Sequence, residues 1–292
     1  MFSLSSIFYV QGSGRLKMNS KKVISFINQK GGVGKTTLLF NTASALAAKD
    51  LKILCLDLDP QGNLGLLFNA HNDENKNLFQ LLINSIKELK PMHQPLLFTD
   101  AIQSFGNIDF IAAGPSLSGF ELTVAAIKAP RQLVLSRLFS QYQLKDQYDY
   151  ILIDCPPTLG LIVINALCGS DGIIAPFKPD DFSMKGLASI YDILEEIEDM
   201  GIVTAPEVFL HVPNLVDQRR KQEDEDLQSI TNFVTGKNKS GKMLSPIYNK
   251  SQLVKSLSQK KSVFDYHSKE YLDLQNAFNE VAKEIDLWSG RK

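Results

Sequence analysis

At 292 residues, 44% of them hydrophobic, the chain can bury a sizeable core as one large α/β domain or two small ones. With 31 Lys and Arg against 32 Asp and Glu the formal net charge is −1, so the total points to no nucleic-acid or membrane partner and only a local asymmetry can. The cysteines Cys55, Cys155 and Cys168 are scattered in or beside apolar runs, and the four histidines are isolated; neither a disulfide frame nor a zinc spacing follows, which suits a reducing compartment.

No apolar run reaches the length of a membrane-spanning helix, so a soluble, cytoplasmic protein is expected. Residues 1–17 hold a short apolar stretch, Ile7 to Val10, without a basic start or a cleavage site, and are expected to form a flexible amino-terminal extension. Met18 then opens a single domain, 18–292. Val23 to Asn28 reads as a short buried strand and Thr36 to Lys49 as a helix. Between them lies Lys30-Gly31-Gly32-Val33-Gly34-Lys35-Thr36-Thr37, a glycine-rich phosphate cradle with two lysines. Backbone N–H groups of such a loop wrap the α and β phosphates, and the helix dipole faces them. In the usual assignment Lys35 neutralises the β and γ phosphates while the Thr36 hydroxyl ligates Mg²⁺; Thr37 is its neighbour. The strict G-x-x-x-x-G-K-[ST] pattern fails, because Gln29 stands where its first glycine belongs.

Leu51 to Leu58 is a near-continuous apolar run, interrupted by Asp57 and closed by Asp59, Pro60 and Gly62, as expected of a parallel strand buried on both faces. Asp57 and Asp59 are expected to point to opposite sides, so that at most one faces the phosphates. Leu78 to Leu89 and Leu122 to Phe139 carry helical apolar spacing, and Asp109 to Ala113 reads as a short edge strand. Tyr148 to Asp154 is an apolar strand ending in an acid, followed by Pro156 and Pro157; Asp154 has the placement of a magnesium-shell carboxylate. Gly172 to Phe177 and Glu207 to Val212 read as further buried strands, each followed by a polar loop. The expected fold is therefore α/β, a single P-loop NTPase domain with a mostly parallel twisted sheet and helices on both faces.

From Leu227 to Phe264 there is no Asp or Glu, yet Lys237, Lys239, Lys242, Lys250, Lys255, Lys260 and Lys261 all fall inside. Taken alone, such a stretch reads first as a solvated surface; its alternative is sequence-independent, salt-sensitive DNA binding. Arg219 and Arg220 either join this patch or pair with Glu223 to Asp226. Tyr271, Leu274, Phe278, Val281, Ile285 and Trp288 then form one apolar helical stripe.

The octapeptide from Lys30 to Thr37 resembles the deviant Walker A box of the ParA/MinD family of ATPases, in the larger group that includes the nitrogenase iron protein. Asp57-Leu-Asp59-Pro-Gln-Gly-Asn63 and Asp154-Cys-Pro-Pro157 follow in the family's order. The likeness runs over Met18 to Leu287, in the ParA form without an amino-terminal helix-turn-helix domain. It implies a slow ATPase using ATP and Mg²⁺. Lys30 would be the signature lysine that reaches the phosphates of a partner subunit in an ATP-dependent homodimer. Asp59 would position the attacking water, Asp154 would orient the magnesium shell through a water, and Asn214 would read the adenine. The resemblance also turns the basic stretch into a candidate nonspecific DNA surface, with Lys250, Lys255, Lys260, Lys261 and Arg219 as its contacts. A nucleoid-associated protein that partitions a plasmid or chromosome with a ParB-type centromere-binding partner is then expected. MinD relatives end in a membrane-targeting helix, but here Glu270, Asp273, Glu280 and Glu284 face only Lys269 and Lys283, the wrong sign for anionic lipid, so a core-docking helix and no membrane partner are expected. Rival readings are a ParA-like ATPase for another cargo (a chemotaxis array, a flagellum, a carboxysome), an iron–sulfur reductase or carrier, and a bacterial tyrosine kinase, whose tyrosine-rich tail is not matched by Tyr266 and Tyr271.

Overall fold

Runs that are apolar on both faces need cover on both sides, and they receive it. The computed structural model describes residues 22–180, 182–217, 219–237 and 241–290; the expected extension 1–17 and Lys239 lie outside them. The strands are β1 (Val23–Phe26), β2 (Ile53–Asp57), β3 (Gln103–Phe105), β4 (Ile108–Ile111), β5 (Tyr150–Asp154), β6 (Gly172–Phe177), β7 (Glu207–Val216), β8 (Lys242–Met243) and β9 (Ile247–Tyr248). Among the described residues they form one nine-stranded sheet in the order β3-β4-β2-β5-β1-β6-β7-β8, with β9 also on β7. Every pairing is parallel except β3 with β4.

The helices are α1 (Lys35–Ala47), α2 (Asn63–Leu67), α3 (Leu78–Ser85), α4 (Phe98–Ala101), α5 (Phe120–Thr123), α6 (Val134–Gln141), α7 (Leu144–Gln147), α8 (Leu161–Gly169), α9 (Ser183–Asp199), α10 (Lys221–Lys237), α11 (Ser251–Ser258) and α12 (Leu272–Trp288). One apolar cluster joins α1 and α12 to one face of the sheet, and the other joins α3, α6, α8 and α9 to the opposite face. This is the expected α/β arrangement. Leu274, Phe278, Val281 and Ile285 of α12 are buried against the sheet and α1, so the terminal apolar stripe is covered by the core. Trp288 closes it, stacked on Phe209 with ring centroids 4.1 Å apart.

Four local expectations change. The spacing that reads as one helix from Leu122 to Phe139 is broken into α5 and α6, with Pro130 in the gap, where the ring removes a donor and clashes with the preceding turn. The strand expected at Asp109–Ala113 is β4 and is not the edge; β3 lies outside it. Helix α3 ends at Ser85 rather than Leu89. Most consequentially, β7 continues past Val212 to Val216, so Pro213 and Asn214 belong to a strand and not to the loop after one.

Candidate nucleotide-binding site

Three strand ends meet at one level: Phe26 of β1 is opposite Asp154 of β5, which is opposite Asp57 of β2. The carboxyl edge of a parallel sheet is where open α/β folds hold ligands. From β1 the chain turns through the glycine-rich loop into α1. Gly34 is the N-cap at φ +80°, and a Cβ there would come within 2.5 Å of Asn214 Nδ2, so both conformation and space require glycine.

The two lysines point in different directions. Lys35, only 7% exposed, turns back into the loop, donating to the carbonyls of Asn28 at 3.0 Å and Lys30 at 3.3 Å. Burial pushes its pKa down, against the attraction of Asp154. Lys30 instead leaves the loop, donates to the Asp180 carboxylate and lies 5.8 Å from the centre of the exposed Phe182 ring. Partial burial raises the Asp180 pKa, but hydrogen bonds from Lys30 and Ser183 outweigh it and hold this carboxyl below its ordinary value.

Thr36 Oγ1 donates to Asp154 Oδ2 at 2.7 Å, while Asp154 Oδ1 is buried without a hydrogen-bond partner. Burial pushes the Asp154 pKa up to about 7, even though the Thr36 hydroxyl and Lys35 pull it down. A hydroxyl, a carboxylate with an unpartnered oxygen and adjoining phosphate oxygens form a hard-oxygen donor set that fits Mg²⁺. Asp57 and Asp59 separate because β2 ends at Asp57, so the alternation that would set residues two apart on one side no longer holds at Asp59. Asp57 is fully buried, its pKa raised well above the ordinary value by burial and then by Asp154. Its Oδ1 accepts from the Asp59 N–H at 3.0 Å. Asp59 is half-buried and lines the cleft, its Oδ1 accepting from the Gln61 N–H.

That cleft, about 650 Å³, lies within the range of small-molecule sites. Its floor is the loop from Gly31 to Thr37 with Asp59 and Pro157, and its outer wall is Leu66, Leu67, Leu257, Ser258 and Lys260. Asn214 is not on its surface. This side chain is fully buried and donates to the carbonyls of Val33 at 2.9 Å and Gly34 at 3.2 Å, bracing the loop from beneath. Asn214, expected to read the adenine, lies under the loop because β7 runs on far enough to carry it there.

Asn28 and Asp180 join the site without belonging to any motif read from the sequence. Buried Asn28 ties the Lys30 N–H to the Pro176 carbonyl of β6. Its signal is a polar amide ending an otherwise apolar strand, directly before a glycine-rich loop. The signal for Asp180 is an acid following β6 at the same sheet edge.

The basic segment is partly neutralised. Lys250 pairs with Asp273 at 2.6 Å, Lys242 with Glu284 at 2.8 Å, and Arg219 with Asp217 through Nε and Nη2. Arg220 lies between Asp217 and Glu223. Of the acids expected to pair with the two arginines, only Glu223 does so among the described residues, with Arg220; Arg219 is held by Asp217 instead. Lys255 and Lys261 are exposed, the latter 6.0 Å from the Tyr266 ring centre, and Lys260 lies on the cleft wall.

A glycine-rich loop joining β1 to α1, with acids ending β2 and β5 beside it, defines a P-loop nucleoside-triphosphatase site. A family model described as an AAA domain, AAA_31, matches residues 21–204, more than half of the chain. The chain is 35% identical over 178 residues to an uncharacterized protein of Pseudomonas putida, covering 60% of this chain and 63% of that protein's length. It is 31% identical over 221 residues to the chromosome-partitioning ATPase Soj of Treponema pallidum, covering 73% of this chain and 78% of that one. In structure it is similar to the ATP complex of a Cyanothece McdA variant, with a TM-score of 0.75 at 21% identity over 94% of this chain and 98% of the other. The chain belongs to the AAA_31 family and to the ParA/MinD group.

Proposed function

We propose that this protein is a DNA-partitioning ATPase that dimerises on ATP, binds DNA without sequence preference and is released when a ParB-type partner stimulates hydrolysis. The observation that carries the reading is the divergence of the two loop lysines. Lys35 serves its own cradle, whereas Lys30 projects to the rim, where a second copy can be met. An ammonium held on Asp180 is an exchangeable donor, and the phosphates of an opposing nucleotide are a stronger acceptor. The name of the Treponema relative favours partitioning over another cargo. Cys55 and Cys155 are buried, a poor placement for a cluster shared across a dimer axis, which weighs against the iron–sulfur reading.

Catalysis would rest on positioning and charge. The loop N–H groups and Lys35 would hold the β and γ phosphates, and Asp59 would orient a water for in-line attack on the γ phosphorus. Thr36 and Asp154 would hold Mg²⁺, which when bound neutralises charge on the phosphates. The weak DNA patch of one subunit, doubled by dimerisation, becomes an adequate one.

A gel shift on unrelated DNA with ATP, ADP or no nucleotide tests the cycle. DNA retained only with ATP is the expected result, and Lys30→Ala should remove that retention while still binding ATP. Equal DNA binding in all three nucleotide states, or normal ATP-dependent dimers from Lys30→Ala, would overturn it.

A further inference from the structure

The last turn of α11 ends in an unusual way. The Lys261 N–H bonds back to the Ser256 carbonyl and the Lys260 N–H to the Leu257 carbonyl, both at 2.9 Å, with Lys260 at φ +53°. This is a Schellman motif whose left-handed position, normally a glycine's, holds a lysine. A side chain there strains the backbone, and strain of this kind gathers at functional sites. The neighbouring chain is fixed: buried Asn41 of α1 accepts from the Val263 N–H at 2.9 Å and the Ser262 hydroxyl at 3.2 Å. The helix that begins in the phosphate loop thus holds the turn carrying Lys260 against the cleft. Lys260 Nζ donates to Asn69 Oδ1 at 2.8 Å, linking the end of α11 to the turn after α2. The end of α11 and the last turn of α2, Leu66 and Leu67, form the outer wall of the cleft, with Asn69 just behind it in sequence.

We propose that Lys260 is a nucleotide-binding residue that contacts the nucleoside half of the bound ATP or ADP, rather than a member of the DNA surface. A nucleotide with its phosphates on the Gly31–Thr37 loop must lay its base and ribose against the remaining wall. That wall offers three leucines as apolar surface, with Gln61, Asn63, Ser258 and Lys260 as polar points, the usual composition of a small-molecule site. The ammonium only donates, and the ribose oxygens and the base nitrogens accept. Asn69 holds it at the cleft until those acceptors arrive. The inference rests on the nucleotide site and is independent of DNA binding.

Calorimetric titration of the full chain with ADP and with AMPPNP, in Mg²⁺, tests it on Lys260→Ala and Lys260→Gly. Both variants should lose about tenfold in affinity, by the same factor for the two nucleotides. Lys260→Gly relieves the left-handed strain, so its nucleotide-free Tm should rise by about 2 °C, separating loss of a contact from loss of fold. Affinities within twofold of the parent would overturn the proposal, and a markedly larger loss for AMPPNP would reassign Lys260 to the terminal phosphate. Lys35→Ala in the same titration separates the two possible failures: retained affinity there would sink the whole site, whereas its loss beside normal Lys260 variants would sink only this contact.

Discussion

The sheet edge and the carboxyl-terminal basic segment both gather charge, and they do so under opposite conditions. At the edge, Lys35, Asp57 and Asp154 are all buried, and each group's ionisation is set first by burial and then by its neighbours. In the segment, Lys255 and Lys261 are exposed and Lys250 and Lys242 sit in surface pairs. Electrostatic interactions at low dielectric are several times stronger than those in water, so the first region is fixed and unforgiving while the second is adjustable and screened by salt. Single substitutions should therefore act steeply at the edge and only in combination in the segment.

The steepest break is Lys35→Ala. Removing a buried ammonium that two carbonyls hold within the glycine-rich loop should weaken ATP binding about a hundredfold or more, as read by calorimetry. Normal affinity would show that the loop does not hold the phosphates. Asp59→Ala acts on a different step. Asp59 lines the cleft without supporting the loop, so ATP binding should survive while turnover falls about a hundredfold, leaving ATP-loaded protein on DNA. Unchanged phosphate release would move the water-positioning role to another residue.

The contrast also explains what was legible in the sequence. Glycines and a lysine that must cradle phosphate, and apolar runs ending in acids, are local patterns, so the loop, Asp59, Asp154 and the inner parallel strands could be read in order. Asn214 could not, because its role depends on β7 running four residues past the apolar run, on a pairing with β9 that no local pattern announces. Lys260 likewise sits in a lysine-rich stretch that reads as one surface. Only the left-handed turn, held to α1 through Asn41, separates it from Lys255 and Lys261 and carries it to the cleft. Surface pairs such as Lys250 with Asp273 join residues that a count of acids within Leu227–Phe264 leaves out.

The double substitution Lys255→Ala with Lys261→Ala probes the segment at a smaller scale. With two exposed cations removed per subunit, nonspecific DNA affinity should fall about tenfold at moderate salt, and the slope of log affinity against log salt should flatten by about 2 for each protomer bound. ATP hydrolysis without DNA should be unchanged. A drop in affinity with an unaltered slope would mean that these lysines do not meet phosphates.

The finest test concerns Lys250, which Asp273 holds at 2.6 Å although Asp273 is itself 77% exposed. A surface pair of this kind contributes about 0.2–1 kcal/mol, which DNA must displace before using the lysine. Asp273→Asn should therefore raise DNA affinity about twofold, with nucleotide binding untouched. Deleting any negative charge strengthens attraction to DNA slightly, so the gain is assigned by a double-mutant cycle with Lys250→Ala. If the gain disappears once Lys250 is gone, the pair restrains a DNA-contacting lysine. If it persists at full size, Lys250 faces away from DNA, and the contact surface contracts to Lys255 and Lys261.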